Sequence, residues 1–361
     1  MPKFIPGLQL SERFYIGIVK GLIETEFLDL KYSAGLIGSG SEILGFDTAQ
    51  STDHHWGPRV MIFLQPKDIR KKKMISDFLS NNLPPTFLGY STHFGKPDEI
   101  GVQLLSKSNK GQPINHRVEI QTVKSFFRKY LQIDPNKHLH VYDWLILSEQ
   151  KLRTIKYGKF FHDQLNLSYF KEKLSYFPKD IWLYMMAAEW MKISQEESFV
   201  GRTGDVSDEL GSKIIGSRLV QSVMRLCFLM EKEYTPYSKW FGTAFSTLKC
   251  AKKLSPVLDK VLASKKWTSR EKHLAKSYKI IAQMHNDLKI TKPLKIEVSN
   301  FHGRPYQVIH GEIFAIEIKK KIKDPAVKNI SSYIGSVNQL SQTVDLLEND
   351  SLLNKLKVLY R

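Results

Sequence analysis

Two short apolar runs, "SAGLIG" (residues 33–38) and "RVMIFLQ" (59–65), constrain this chain more than any other feature. Each is too brief for a packed helix, lacks polar alternation and is bounded by turn residues, the pattern of strands buried on both faces. A chain with two such strands needs a sheet covered on each side, and the neighbouring segments can supply the covers. Residues 9–29 place Leu10, Phe14, Ile18, Leu22 and Phe27 at helical spacing. "PKDIRKKKMISDFLSNNL" opens with Pro66 as a helix start and offers Ile69, Met74 or Ile75, and Phe78 for packing. Residues 81–115 are loop-rich, and "NHRVEIQTVKSFFRKYL" then reads as a strand running into a helix.

Beyond about residue 150 the signals become helical. "KDIWLYMMAAEWMKI" is apolar on nearly every face and predicts a buried central helix. "SKIIGSRLVQSVMRLCFLMEKEY" puts Ile215, Leu219, Val223, Leu226 and Met230 on one stripe, with Arg218 and Arg225 predicted to face away. "REKHLAKSYKIIAQMHNDL" repeats the style. The pattern predicts an α/β N-terminal domain over 1–150, a mixed sheet with flanking helices, and an all-α helical C-terminal domain over 151–361, joined near 145–175. Within the second, residues 316–361 read as a packing or assembly segment.

Composition excludes some classes. Hydrophobic residues at 42% and aromatics at 11% support real cores rather than disorder. No apolar run approaches the roughly 18 residues of a membrane span. Neither a signal-peptide stretch in "MPKFIPGLQLSERFY" nor a cysteine framework is present, Cys227 and Cys250 being the only cysteines, so a cytoplasmic protein with reduced thiols is expected. The net charge of +18 is uneven, with a surplus of 3 basic residues over 1–150 and of 15 over 151–361. It reads either as a solvated lysine-rich surface or as a face attracting a polyanion such as tRNA or nucleotide phosphates.

The candidate chemistry lies between the two apolar runs, in "GSGSEILGFDTAQSTDHHW". Glycine and serine after a strand leave backbone N–H groups open, a natural phosphate cradle at Gly38, Ser39, Gly40 and Ser41. Asp53, at the start of the next strand, can hold a divalent cation against those phosphates, and Glu119 in "HRVEIQTV" is placed to complete an acidic cage. Turn, metals and carboxylates together are what two-metal transfer of a nucleotidyl group requires.

These residues resemble the nucleotidyltransferase superfamily of DNA polymerase beta, poly(A) polymerases and antibiotic nucleotidyltransferases, whose hallmark is Gly-Ser, a spacer, Asp-x-Asp on a strand and a later third acid. "FIPGLQLSERFY", "GSGSEILGFDTAQSTDHHWGPRV", "HRVEIQTVKSFF", "YDWL", "FVGRTGDVSDELGS" and "EKEYTPYSKWFGTAF" further resemble a bacterial family catalogued as a domain of unknown function (number four-zero-three-seven), with a layout similar to the aminoglycoside adenylyltransferases. The resemblance implies a nucleotidyltransferase-like first half. It implies metal-dependent transfer of a nucleotidyl group, AMP from ATP, to the hydroxyl of a small molecule, tRNA or protein. Gly40 and Ser41, or Gly38 and Ser39, match the Gly-Ser turn, Asp53 the first metal acid and Glu119 the third. The departure is His55 where the superfamily has Asp. An imidazole weakens a Mg²⁺ site and tilts it toward Mn²⁺ or softer ions. Asp47 is the nearest substitute acid, and the alternative reading is a catalytically impaired nucleotide- or RNA-binding regulator.

Other candidates are subsidiary. Arg59 either touches phosphate or closes a strand-entry turn packed by Trp56. His54 and His55 with His138 and His140 offer an atypical zinc alternative. In "FVGRTGDVSDELGSKIIGSR", Asp205 or Ser207 is expected to cap the helix, while Arg202, Asp205 and Glu209 are candidates to line a cleft, with Glu209 as general base. Lys239 beside Trp240 is a candidate triphosphate contact. "FHGRPYQVIHG" reads as an ordered loop.

Overall fold

The computed structural model describes residues 3–52, 55–99, 101–108 and 111–361. The chain runs α1 (Gly7–Phe14), a π-helical turn (Tyr15–Val19), α2 (Lys20–Glu26), β1 (Tyr32–Leu36), β2 (Arg59–Leu64), α3 (Lys72–Asn82), β3 (Thr86–Phe87), β4 (Tyr90–Ser91), β5 (Arg117–Thr122) and α4 (Val123–Leu131). It continues through α5 (Val141–Ile146), α6 (Glu149–Tyr157), β6 (Lys159–Asp163), α7 (Leu167–Lys173), α8 (Lys179–Glu196), α9 (Phe199–Asp205) and α10 (Glu209–Met230). There follow α11 (Ser238–Ser246), α12 (Ala251–Ala263), α13 (Trp267–Asp287), a hairpin of β7 (Ser299–Phe301) and β8 (Arg304–Val308), α14 (Gly311–Lys319) and several short helices.

Two compact units result, and neither is continuous: one holds residues 1–138 and 151–175, the other 139–150 and 176–361. The division therefore differs from the single cut at residue 150 that the pattern suggests. No helix among the described residues is long and apolar enough to cross a membrane.

The first unit is built on a mixed four-stranded sheet ordered β5-β2-β1-β6. β1 runs antiparallel to β2 and β6, while β2 and β5 are parallel. β1 and β2 are interior and buried along their whole length, as their uninterrupted apolar runs require. On one face Tyr32, Ala34, Val60, Ile62, Leu64, Val118 and Ile120 join Phe14, Val19, Ile23, Ile75 and Leu79 of the covering helices in one core. In α3 the choice between Met74 and Ile75 falls on Ile75, which is buried, whereas Ile69, ahead of α3, is exposed, a correction to its expected packing role. The other face carries α4, whose Phe126 meets Phe63 edge-on. The capping box between Thr122 and Ser125 ends β5 and starts α4 within one residue.

β6 was not anticipated. It is short and only half-buried, "KFFHD", and finds β1 through a bulge between Ala34 and Gly35. Gly35 is required there, since a Cβ would lie 2.5 Å from the Lys159 carbonyl oxygen.

In the second unit α8 is buried nearly throughout, as its all-round apolarity predicts. α10 holds Leu219, Val223 and Leu226 in the core. Arg225 does not face away: it is 8% exposed, lies over the Phe241 ring and sits near the buried Glu149. The "FHGRPYQVIHG" stretch forms the β7–β8 hairpin, the one departure from a helical unit among the described residues. The tail packs within this unit. Asn338 accepts from the Glu149 N–H and donates to the Leu147 carbonyl, Lys357 pairs with Asp143, and Tyr360 stacks on Tyr142.

Candidate functional site

β1 leads directly into the Gly-Ser turn. Gly38 and Gly40 adopt φ of 91° and 144°, a backbone region that side chains disfavour. The turn closes on itself as Leu44 and Phe46 donate to the Ser41 carbonyl and Gly45 to that of Glu42. The backbone N–H groups of Ser39, Gly40 and Ser41 donate to no carbonyl among the described residues. Open donors at the end of a buried strand are the physical requirement for holding an anion.

Arg59 supports the turn from β2. Its Nε donates to Glu42 Oε1 at 2.8 Å and its Nη2 to the Ser39 carbonyl at 2.7 Å. Both members of the Arg59–Glu42 pair are buried, and a Cβ on Gly40 would collide with both. Arg59 is thus turned inward and braces the turn, which corrects its reading as a phosphate contact.

The parallel register sets Arg59 beside Arg117 and Met61 beside Glu119. Arg117 and Glu119 therefore share the sheet face opposite the apolar core, because side chains alternate along a strand. The Arg117 guanidinium is the centre of this face. Its Nη1 donates to Gln103 Oε1 at 2.6 Å and to His55 Nδ1 at 2.8 Å, and its Nη2 to Glu119 Oε1 at 3.1 Å. The Phe94 ring lies 5.7 Å away. Burial lowers the Arg117 pKa, as does the Arg59 charge, against the opposing pull of Glu119 and Glu42. The guanidinium nonetheless keeps its proton, its intrinsic pKa being so high.

His55 is held at both ends. Its N–H donates to the Gln103 carbonyl at 3.0 Å, and the Gln103 N–H donates back to Nδ1 at 3.2 Å. Both partners of Nδ1 can only donate, so this nitrogen is a lone-pair acceptor and the ring proton resides on Nε2. As held, Nδ1 directs its lone pair to Arg117 and Gln103.

The remaining expected ligands divide. Asp53 and His54 lie outside the described residues. Among the described residues no group of three or more His, Cys, Asp or Glu side chains is arranged to hold a metal ion. The zinc alternative with His138 and His140 includes His54 and so falls partly outside the described residues. Asp47 accepts from the Gly7 N–H at 2.7 Å and from Trp56 Nε1 at 2.9 Å, tying the start of α1 to the indole. Its Oδ2 is engaged structurally, and among the described residues Asp47 belongs to no cluster arranged to hold a metal ion. Trp56 is buried, as a strand-entry packing residue would be.

The candidates in the second unit have local roles. Asp208, and neither Asp205 nor Ser207, caps α10 by accepting from the Gly211 N–H. Asp205 accepts from the Tyr306 hydroxyl. Glu209 accepts from the Trp267 N–H and faces the buried Arg270, so its carboxylate caps α13 and balances a charge, a correction to its reading as a general base. Arg202 lies over Phe199 and Lys239 over Trp240, both cations exposed. Sequence reasoning missed Glu42, Gln103 and Arg117. Arg117 was findable, since the alternation in "RVEIQ" places it on the Glu119 face.

Residues 144–241 match the model of the family described as Domain of unknown function (DUF4037). Among solved structures, a nucleotidyltransferase-like protein from Exiguobacterium sibiricum is similar at 9% identity and a TM-score of 0.34, covering 96% of this chain and 90% of that one. Likeness at that level bears on neither activity nor site. No curated protein matches the chain.

Proposed function

We propose that this chain, whose residues 144–241 form a DUF4037 segment, binds a nucleoside triphosphate through its phosphates and transfers the nucleotidyl group, AMP from ATP, to an acceptor hydroxyl. One observation carries the reading: the turn at Gly38, Ser39, Gly40 and Ser41 leaves three N–H groups without a carbonyl partner among the described residues, at the end of a buried strand and braced by a fixed ion pair. In-line displacement at phosphorus needs positioning and positive charge more than covalent help, and a rigid donor cradle supplies the first of these. The acceptor is a small molecule, tRNA or protein.

Glu119 and His55, as held, do not fit a metal site, because each is bonded to the same guanidinium. A requirement for Mg²⁺ or Mn²⁺ in this proposal rests on Asp53. That same bridging favours the second reading, a nucleotide-binding regulator without turnover.

The test is pyrophosphate release from each of the four nucleoside triphosphates, in Mg²⁺ and separately in Mn²⁺, with pools of tRNA and small-molecule acceptors. Release by wild type that vanishes in Asp53→Ala supports the transferase, and the active pool gives the acceptor class. Silence in every condition, with ATP still raising the melting temperature, selects the regulator.

A further inference from the structure

We propose that Arg117 is the fixed cation of this site, a protein guanidinium that neutralises substrate phosphate charge at the place where the residue pattern puts a second metal. The inference rests on the nucleotide reading above and concerns how that nucleotide is held.

Three features of the geometry carry it. First, His55 and Glu119, two of the three side chains expected to bind metal, are both hydrogen-bonded to this one guanidinium, at 2.8 and 3.1 Å. The space between them is occupied by positive charge that cannot dissociate. Second, the group is preorganised. Gln103 holds it through Oε1 and also fixes the His55 ring that orients Nη1, while Phe94 lies 5.7 Å from the guanidinium. A charge fixed in place before the ligand arrives needs no reorganisation when phosphate charge develops. Third, its hydrogen bonding is incomplete on one edge. Nε is buried and has no partner among the described residues, while Nη2 is shared with Glu119 alone. The Nε–Nη2 edge is the fork that binds oxyanions in bidentate fashion. A buried donor without an acceptor is costly, and an incoming phosphate oxygen relieves it.

The exposures indicate how the ligand enters. The Glu119 side chain is 41% exposed and Arg117 only 14%, so Glu119 is on the open side of the pair. It acts as a placeholder anion: a phosphate takes its place on Nη2, and the displaced carboxylate moves toward solvent. Here Glu119 opposes phosphate binding, whereas as a metal ligand it would promote it. The two roles give effects of opposite sign.

The experiment is calorimetric titration of the full chain with ATP, and separately with inorganic tripolyphosphate, in EDTA and in Mg²⁺, with melting curves to establish folding. Wild type is expected to bind both probes in EDTA. Glu119→Gln is expected to bind them severalfold more tightly there, having lost the competing charge. Arg117→Met is expected to lose about tenfold to a hundredfold, the range for a charged hydrogen-bonding contact, with Arg117→Lys recovering part of the loss. If Arg117→Met does not fold, the sign of the Glu119→Gln effect decides by itself. Binding by wild type that needs Mg²⁺ and is abolished in Glu119→Gln would overturn the inference while leaving the nucleotide reading intact. Failure of wild type to bind either probe in EDTA or Mg²⁺ would remove the nucleotide reading and the inference together.

Discussion

Glu42 and Arg59 are both sealed from solvent, so their pairing is a matter of stability as well as of site geometry. Removing one partner leaves the other charge buried and unpaired, which typically costs about 3–5 kcal/mol. Glu42→Ala is therefore expected to lower the unfolding free energy by about that amount in urea denaturation. The double variant Glu42→Leu with Arg59→Met should be less destabilised than Glu42→Ala, because no buried charge remains uncompensated. A double variant as unstable as the two single losses combined would contradict this account. The pair also marks where sequence reading fails at this scale. Arg59 stood out as a cation next to a candidate phosphate-binding turn, yet its direction depends on Glu42, a buried acid 17 residues away. Asp47 has a structural tie of the same kind that the sequence did not announce, its Oδ2 accepting from Gly7 and Trp56. By contrast the turn at Gly38 and Gly40 was legible, and both glycines adopt φ values that few other residues take.

At the scale of elements, the end of α8 makes a testable pH device. Glu197 follows the last turn of α8 and accepts from the N–H groups of Ile309 and Gly311, where the hairpin gives way to α14. Burial pushes its carboxyl up to about 8, and that of Glu271 on α13 up to about 7. On α13 burial also holds the His285 imidazole down to about 4. The signs oppose each other. A carboxyl raised on folding binds a proton that the unfolded chain has released, so stability falls as pH rises from the ordinary carboxyl range toward 8. A histidine lowered on folding must shed its proton to fold, so stability falls as pH drops from about 6.5 toward 4. Between those limits the effects partly cancel, and above pH 6.5 the carboxyls act alone. Melting temperature is therefore expected to fall from pH 6.5 to 8. Glu197→Gln should remove up to about 1.4 kcal/mol of that loss per pH unit. A variant with an unchanged slope would show that Glu197 is already ionised in the folded protein. At this scale the sequence was informative wherever an element's burial is nearly uniform: β1 and β2 are buried along their length and α8 over most of its own, as their apolar runs predict. It misled at Arg225, where an arginine counted as outward-facing lies buried near Glu149, a partner contributed by a distant stretch of chain.

The division of the whole molecule was legible only as a change of composition, from alternating strand and helix signals to helical ones. The chain in fact leaves the first unit at residue 138, lends 139–150 to the second, and returns to lay β6 against β1 before leaving again after residue 175. No local pattern announces such a return, because the reason for it is a sheet edge formed more than a hundred residues earlier. The consequence can be measured on fragments. A chain ending at residue 150 keeps β1, β2 and β5 but lacks β6, so β1 becomes an edge whose backbone N–H and C=O groups and fully buried side chains lie open. A chain ending at residue 175 retains β6 and the turn after it, in which Asp163 accepts from the Leu167 and Ser168 N–H groups and Ser33 donates to the same carboxylate. The longer fragment is expected to remain monomeric by size-exclusion chromatography and to unfold cooperatively in urea. The shorter one should aggregate or unfold without a sharp transition. Equal, cooperative unfolding of both would mean that β6 is dispensable and that the first unit ends before residue 150. Lys159→Pro in the 1–175 fragment refines the test: the change removes a backbone donor from β6 opposite Leu36 while leaving chain length intact. If strand pairing is what protects β1, this variant should behave like the shorter fragment, and if mere length protects it, like the longer one.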